Sequence, residues 1–243
     1  MSVSPKMALV TGGSGSLGAA ICRRLGAAGH FVHVHANRRL DEAEAVVRGI
    51  VDAGGQARAV AFDVTDADAA RAVLERLIDE TPVQILVNSA GIHDDAAFPG
   101  MSVDQWRRVL DVSVNGFYNV TQPLMLPMIR SRWGRVITLS SVTALIGNRG
   151  QVNYAAAKGA LNAATKSLSL EVASRGITVN AIAPGIISSD MSDSAFDAAT
   201  IATLVPMKRA GTAEEVASLV GYLASPEAGY ITGQVISISG GLA

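Results

Sequence analysis

Cysteine is almost missing from this chain. Cys22 is the single thiol, so no internal disulfide can form and a reducing compartment suits the protein. Charge is scarce as well: 17% of residues are charged and the formal net charge is −1, which leaves no global basic excess for nucleic acid or any other polyanion. A charged partner would have to be met by a local patch. No apolar run approaches the length of a membrane span, and the opening "MSVSPKMALVTGG" is too short in apolar residues for a secretory signal. A soluble cytoplasmic protein is expected. Linkers, internal repeats, charge blocks and low-complexity tracts are also missing.

What remains is a largely apolar chain of 243 residues, 49% of them hydrophobic, long enough for one large core and read as a single domain over residues 1–243. Short β-rich runs alternate with longer amphipathic stretches. "MALVTG", "FVHVHA", "ARAVAFDV", "QILVNSAG", "RVITLSS", "ITVNAIAPG" and "QVISIS" read as seven strands. Between them "LGAAICRRLGAAG", "LDEAEAVVRGIVDAG", "DADAARAVLERLIDE" and "YAAAKGALNAATKSLSLEVASRG" carry apolar residues at helical spacing. Strands that are nearly continuous in apolar character, in the order βαβα, imply a doubly wound α/β fold with a parallel seven-stranded sheet between two helix layers. Pro123 and Pro127 of "PLMLPMIRSRW" predict a bent helix. The long non-periodic stretch from about Gly185 to Thr212 is a possible mobile lid.

The first strand runs into "TGGSGSLGAAICRRLG", a glycine-rich turn that opens a helix. Glycine allows a tight turn and close backbone approach, and the helix start offers unpaired N–H groups and a positive dipole end to a phosphate. Such a turn also serves as a plain strand-to-helix connection; its place after the first strand of an alternating pattern favours a dinucleotide pyrophosphate. The second strand ends in "HANRR", without the carboxylate that would bind a ribose 2′-hydroxyl and repel a 2′-phosphate. Asn37, Arg38 and Arg39 therefore favour NADP(H), unless the arginines only solvate a helix start. His33 and His35 alternate on that strand with no third ligand near, which suits packing or surface positions better than metal binding.

In "YAAAK", Tyr154 and Lys158 stand four residues apart and share one helix face. An ordinary exposed Tyr–Lys pair would show the same spacing. A hydroxyl in "TLSS", Ser140 or Ser141, closes the fifth strand upstream of the phenol. From "ALVTGG" through "FDVTD", "LVNSAG", "NRGQVNYAAAKGAL", "EVASRGITVNAIAPGII" and "YITGQVISISGG", nearly the whole chain resembles the short-chain dehydrogenase/reductase family. Within it, the likeness is greatest to the 3-oxoacyl-acyl-carrier-protein reductases.

The resemblance implies that Tyr154 is a general acid, that Lys158 lowers its pKa and holds the nicotinamide ribose, and that Ser141 rather than Ser140 positions a carbonyl. These roles agree with the chemistry. A nearby ammonium favours phenolate, and hydride delivery to a carbonyl leaves an alkoxide that needs a proton. It further implies that Asp63 takes the adenine amino group, with helix capping as its alternative, and that Val64 lies beneath the ring. Asn88 would steady the central strands, with Ala90 and Gly91 beside the cofactor; Leu17 would join the phosphate turn, and Pro184, Gly185, Ile187 and Ser189 would close on the nicotinamide.

Two positions depart from the family pattern. Gly12 and Gly18 of the turn match, but Ser16 replaces the middle glycine and Gly15 stands where a basic residue is frequent. The flexible residue of the turn is thus expected one place earlier, with phosphate recognition falling to Ser14, Asn37 and the two arginines. Ser113 replaces an asparagine that anchors a relay water, so the relay either runs through Ser113 or is weakened; Asn115 points the other way on a helix. Arg132 and Arg175 match positions that dock an acidic acyl-carrier protein, although exposed arginines are common. The implied protein is an NADPH-dependent β-ketoacyl thioester reductase acting as a homotetramer. A reductase or dehydrogenase of a free small ketone or alcohol, or a non-catalytic nucleotide-binding subunit, are the alternatives.

Overall fold

The computed structural model describes residues 5–188 and 197–243. Ser189 and the middle of the expected lid lie outside the described residues. Seven strands form one sheet: β1 Met7–Thr11, β2 Phe31–Ala36, β3 Gln56–Ala61, β4 Ile85–Asn88, β5 Gly134–Leu139, β6 Ile177–Pro184 and β7 Val235–Ile238. Every pairing is parallel, in the order β3-β2-β1-β4-β5-β6-β7. Alternate residues of a strand enter opposite cores, as the pleat requires. Ala8 and Val10 pack with helices α1 (Ser16–Ala27), α2 (Leu40–Asp52) and α9 (Ala213–Ala224), whereas Leu9 packs on the other face. That second core is covered by α3 (Ala67–Glu80), α5 (Gly116–Ser131) and the end of α7 (Val152–Val172). Because both faces are buried, the inner strands need no polar side; β4, β5 and β6 are buried along their whole length.

Helix α4 (Val103–Leu110) starts in a capping box in which Ser102 Oγ accepts from Gln105 N–H and Gln105 Oε1 accepts from Ser102 N–H. It runs through a π-helical turn, Asp111–Asn115, directly into α5. Both Pro123 and Pro127 sit inside α5, which continues through them without a break. The short helix α6 (Thr143–Ile146) follows β5. The stretch expected to be non-periodic also contains α8 (Ala198–Leu204), capped by Asp197. Among the described residues no helix is long and apolar enough to cross a membrane.

Strand order reverses between β1 and β4, so the connections leaving their carboxyl ends diverge and open a crevice there. All the functional segments named above, except Arg132, Arg175 and Ser113, leave carboxyl strand ends.

Candidate active site

After β1 the chain turns at Gly12, whose φ of 64° belongs to the left-handed region that glycine alone enters freely. Thr11 ties this turn to the next segment, since its Oγ accepts from the N–H groups of Ser89 (3.0 Å) and Ala90 (3.1 Å). Helix α1 opens at Gly15 with no side-chain cap, leaving the first N–H groups of the helix, those of Ser16, Leu17 and Gly18, to a ligand. A Cβ on Gly18 would lie 2.1 Å from the Gly12 carbonyl oxygen, so only glycine fits where the helix crosses the turn. This cradle suits a dinucleotide pyrophosphate. The expected shift of the flexible residue to Gly15 does not occur: its φ of −73° and ψ of 162° are ordinary extended backbone, and the strain falls wholly on Gly12. Ser14 lies half-buried in the turn and Ser16 begins the helix.

Beyond β2, Asn37, Arg38 and Arg39 are all exposed. The Asn37 side chain hydrogen-bonds the Asp63 carboxylate, which also accepts from Thr65 N–H (2.8 Å) and Oγ–H (2.7 Å). These bonds hold Asp63 below the usual carboxylate range, the two from Thr65 weighing most. Asp63 caps no helix; Asp66 does that for α3. Arg39 pairs with Glu42 (2.6 Å), whereas Arg38 has no ion-pair partner among the described residues. Val64 is buried in the core and lies against Gly116, so its side chain forms a floor rather than an open contact surface.

Ser141, Tyr154 and Lys158 come together between the end of β5 and the first turns of α7. Val142 N–H donates to Pro184 O (3.0 Å) and Ser140 N–H to Ile182 O (2.7 Å), which locks the serine pair to β6. The two serines then divide. Ser140 Oγ–H donates to the backbone oxygen of Lys158 (3.3 Å), while Ser141 Oγ accepts from Thr143 N–H (3.1 Å) and shares a hydrogen bond with the Tyr154 hydroxyl. Lys158 is buried and donates to Leu139 O (2.7 Å); burial alone lowers its pKa to about 8. A side chain on Gly91 would meet Lys158 Nζ at 3.2 Å, so the turn after β4 forms the other wall. Lys158, expected to depress the phenol, is not among the groups that set the Tyr154 pKa here. Its Nζ lies 5.6 Å from the ring centre, and burial, reinforced by the Asp95 carboxylate, holds Tyr154 above the usual tyrosine value against the Ser141 hydrogen bond.

Ser113 lies in the π-helical turn, buried, with no hydrogen-bond partner for its hydroxyl among the described residues. It borders a cavity of about 10 Å³, enough for one water, together with Thr11, Asn88, Ala90 and Leu161. Neither Tyr154 nor Lys158 lines that cavity, so the serine is not brought into direct contact with the pair. Asn115 is exposed and bonded to Asp111, as its helical offset implied. Asn88 Nδ2–H donates to Thr121 Oγ (3.0 Å), fixing the end of β4 to α5.

The short chain dehydrogenase family model matches residues 6–200. The chain belongs to the short-chain dehydrogenase family. It is 43% identical over 236 residues to a 3-oxoacyl-(acyl-carrier-protein) reductase FabG of Aggregatibacter actinomycetemcomitans, with 96% of this chain and 98% of the relative covered. It is 42% identical to nodulation protein G of Rhizobium sp. strain N33, with 98% and 97% covered, and 40% identical to a FabG of Staphylococcus aureus strain Mu50, with 98% of each covered.

Several residues that shape this short-chain dehydrogenase site escaped the sequence reading. Asn153, fully buried beside Tyr154, donates to Asp94 O (2.9 Å) and Gln105 O (3.2 Å) and accepts from Tyr154 N–H (2.8 Å). Gln151 donates to Asp95 (2.8 Å) and accepts from Thr143 Oγ–H (3.3 Å). Together they fasten the segment after β4 to the start of α7, beside Tyr154. The only signal for them was their place within "NRGQVNY". On the β6 side, Pro184 ends the strand, Gly185 N–H donates to Ile238 O (2.9 Å), and Ile187 bridges Gly211. Arg132 and Arg175 lie elsewhere: they precede β5 and β6, at the amino ends of the strands, with Arg132 donating to Ser174 O (3.4 Å).

Proposed function

We propose that this oxidoreductase reduces a β-ketoacyl thioester to the β-hydroxyacyl thioester with NADPH, the acyl group being carried by an acyl-carrier protein. The observation that carries the reading is the hydrogen-bonded Ser141–Tyr154 pair beside buried Lys158, placed across the β1–β4 crevice from a glycine turn shaped for a pyrophosphate. When bound, the nicotinamide supplies a hydride to the carbonyl carbon. Ser141 donates to the carbonyl oxygen and orients it; Tyr154, kept protonated by its burial, gives its proton to the oxygen as negative charge develops there. Lys158 would hold the ribose, and its charge, present below about pH 8, would stabilise the phenolate left behind. Arg38, without a close ion pair among the described residues, would take the 2′-phosphate, with Arg39 and Asn37 beside it.

Relatives named as carrier-protein reductases support the thioester substrate and a place in fatty-acid or polyketide-like synthesis. A homotetramer is supported by the half-exposed edge strand β7 and by the exposed Tyr230, Tyr118, Leu126 and Leu170, apolar surface that suits self-association. Residues 185–212 would serve as a lid over the nicotinamide. The placement of Arg132 and Arg175 away from Tyr154 favours a second reading, reduction of a free small ketone. The deciding experiment follows NADPH oxidation with acetoacetyl and longer β-ketoacyl groups, each on coenzyme A and on carrier protein, beside free ketones. The thioester reading expects carrier-bound substrates to be turned over most efficiently; equal efficiency on free ketones would overturn it.

A further inference from the structure

Three segments of the cofactor crevice meet at one imidazole. His35, second from the end of β2, is buried; its Nδ1 stands 3.0 Å from the Gly12 nitrogen and its Nε2 stands 2.9 Å from the Phe62 oxygen. The ring also packs on Phe62, with centroids 4.1 Å apart. A backbone N–H can only donate and a carbonyl can only accept, so both contacts fix one tautomer: Nδ1 accepts from Gly12 and Nε2–H donates to Phe62. Burial pushes the His35 pKa down to about 4, which keeps this neutral form in place at working pH. Gly12 is the left-handed pivot of the phosphate turn, and Phe62 immediately precedes Asp63.

Resting on the cofactor reading above, we propose that His35 is a cofactor-positioning residue, a neutral bridge that fixes the pivot of the glycine-rich turn against the end of β3. The bridge turns the Gly12 amide inward, away from the ligand. Phosphate is thereby left to the amides at the start of α1, and the spacing between that helix start and Asp63 is held constant. One rigid element thus sets where the pyrophosphate and the adenine end are received. His33, two residues earlier on the same strand, supplies the control: it is equally buried, yet neither of its ring nitrogens has a hydrogen-bond partner among the described residues. A histidine that only packs should behave like His33.

NADPH affinity, read from the cofactor's fluorescence on binding, tests the bridge in four proteins: wild type, His35→Leu, His35→Gln and His33→Leu. Glutamine carries one acceptor and one donor and can remake both bonds. The leucine variant at 35 should bind NADPH about tenfold more weakly, the size expected when one hydrogen-bonded turn is freed, with its KM for NADPH raised and kcat unchanged within about twofold. The glutamine variant should stay within about threefold of wild type, and His33→Leu should match wild type. Nitrogen NMR of the wild-type ring should report a proton on Nε2, a measurement that stands even where His35→Leu fails to fold. A proton on Nδ1 overturns the bridge. So does unchanged NADPH affinity in His35→Leu, or a glutamine variant as weak as the leucine one. Wild-type protein that binds neither NADPH nor NADH would overturn this inference and the proposed function together.

Discussion

At the scale of single residues, the proposed mechanism depends on one proton and one charge. Among the described residues Tyr154 has the only hydroxyl that is both bonded to Ser141 and beside Lys158, so Tyr154→Phe removes the transferable proton while the ring still packs. Turnover should fall by about 10² to 10⁴-fold with NADPH affinity nearly unchanged, as read by steady-state kinetics and cofactor titration. Residual turnover near the wild-type value would reject Tyr154 as the acid. Cofactor choice should be carried unequally by the two arginines. Arg39 is held by Glu42, whereas Arg38 makes no close ion pair among the described residues and acts on Asp63 only through its charge, and a charge-assisted phosphate bond contributes about 1.5 to 3 kcal/mol. Arg38→Ala should therefore reduce the preference for NADPH over NADH by about tenfold or more, and Arg39→Ala by less; the ratio of kcat/KM for the two cofactors checks this. Residue identities of this kind were partly legible. Tyr154, Lys158 and Ser141 stood in a spaced motif, but His35 read as packing because its partners lie 23 and 27 residues away, and only the folded sheet joins them.

At the scale of elements, the strands were the most legible part, because a parallel strand buried on both faces is a nearly unbroken apolar run. The turn at Gly12 was placed correctly, yet its flexible residue was expected one position from Ser16. Glycine at 15 reads as flexibility in a sequence, while the backbone there is extended and would accept other residues. The π-helical turn at Asp111–Asn115 left no local mark. Such turns are set by what packs around them, here Asn88 and the end of β1 across a water-sized space. This element also changes what Ser113 is expected to do. Its hydroxyl meets no hydrogen-bond partner among the described residues and its cavity is not bordered by Lys158, so a proton path from the lysine has no direct contact with it. Ser113→Ala should lower turnover by less than about tenfold, since a lost relay water would act on kcat alone, and should leave stability unchanged or slightly raised because an unpaired buried hydroxyl is removed. A larger loss in kcat, measured across pH with stability intact, would place Ser113 in the relay.

At the scale of the whole molecule, two consequences follow from where charge is buried and where it is exposed. His33 and His35 are both lowered to about 4 by burial, against 6.5 for a free histidine. Between those values the unfolded chain binds protons that the folded chain refuses, so the stability that depends on these two histidines should be full above about pH 6.5 and fall as pH drops toward 4. The slope is at most about 1.4 kcal/mol per pH unit for each histidine. Denaturant unfolding at pH 7 and pH 5 should show the loss, and His33→Leu should remove part of it, since buried His30 is lowered too; a pH-independent midpoint would exclude it. The exposed arginines pose the opposite problem. Arg132 and Arg175 stand before β5 and β6, and the six residues of β5, at roughly 3.3 Å each, set them about 20 Å from Ser141 along the strand. A carrier protein docked there would need its extended arm to reach the same chain's site, or would serve the site of a neighbouring copy. In either case the arginines would act on encounter rather than on chemistry. Arg132→Glu with Arg175→Glu should reduce kcat/KM for carrier-bound substrate by about tenfold or more at low salt, leave a small coenzyme A thioester nearly unaffected, and lose most of that difference at high salt as screening shortens the reach of charge. Equal losses on both substrates would mean that the pair supports the fold around the start of β6 instead of a docking surface.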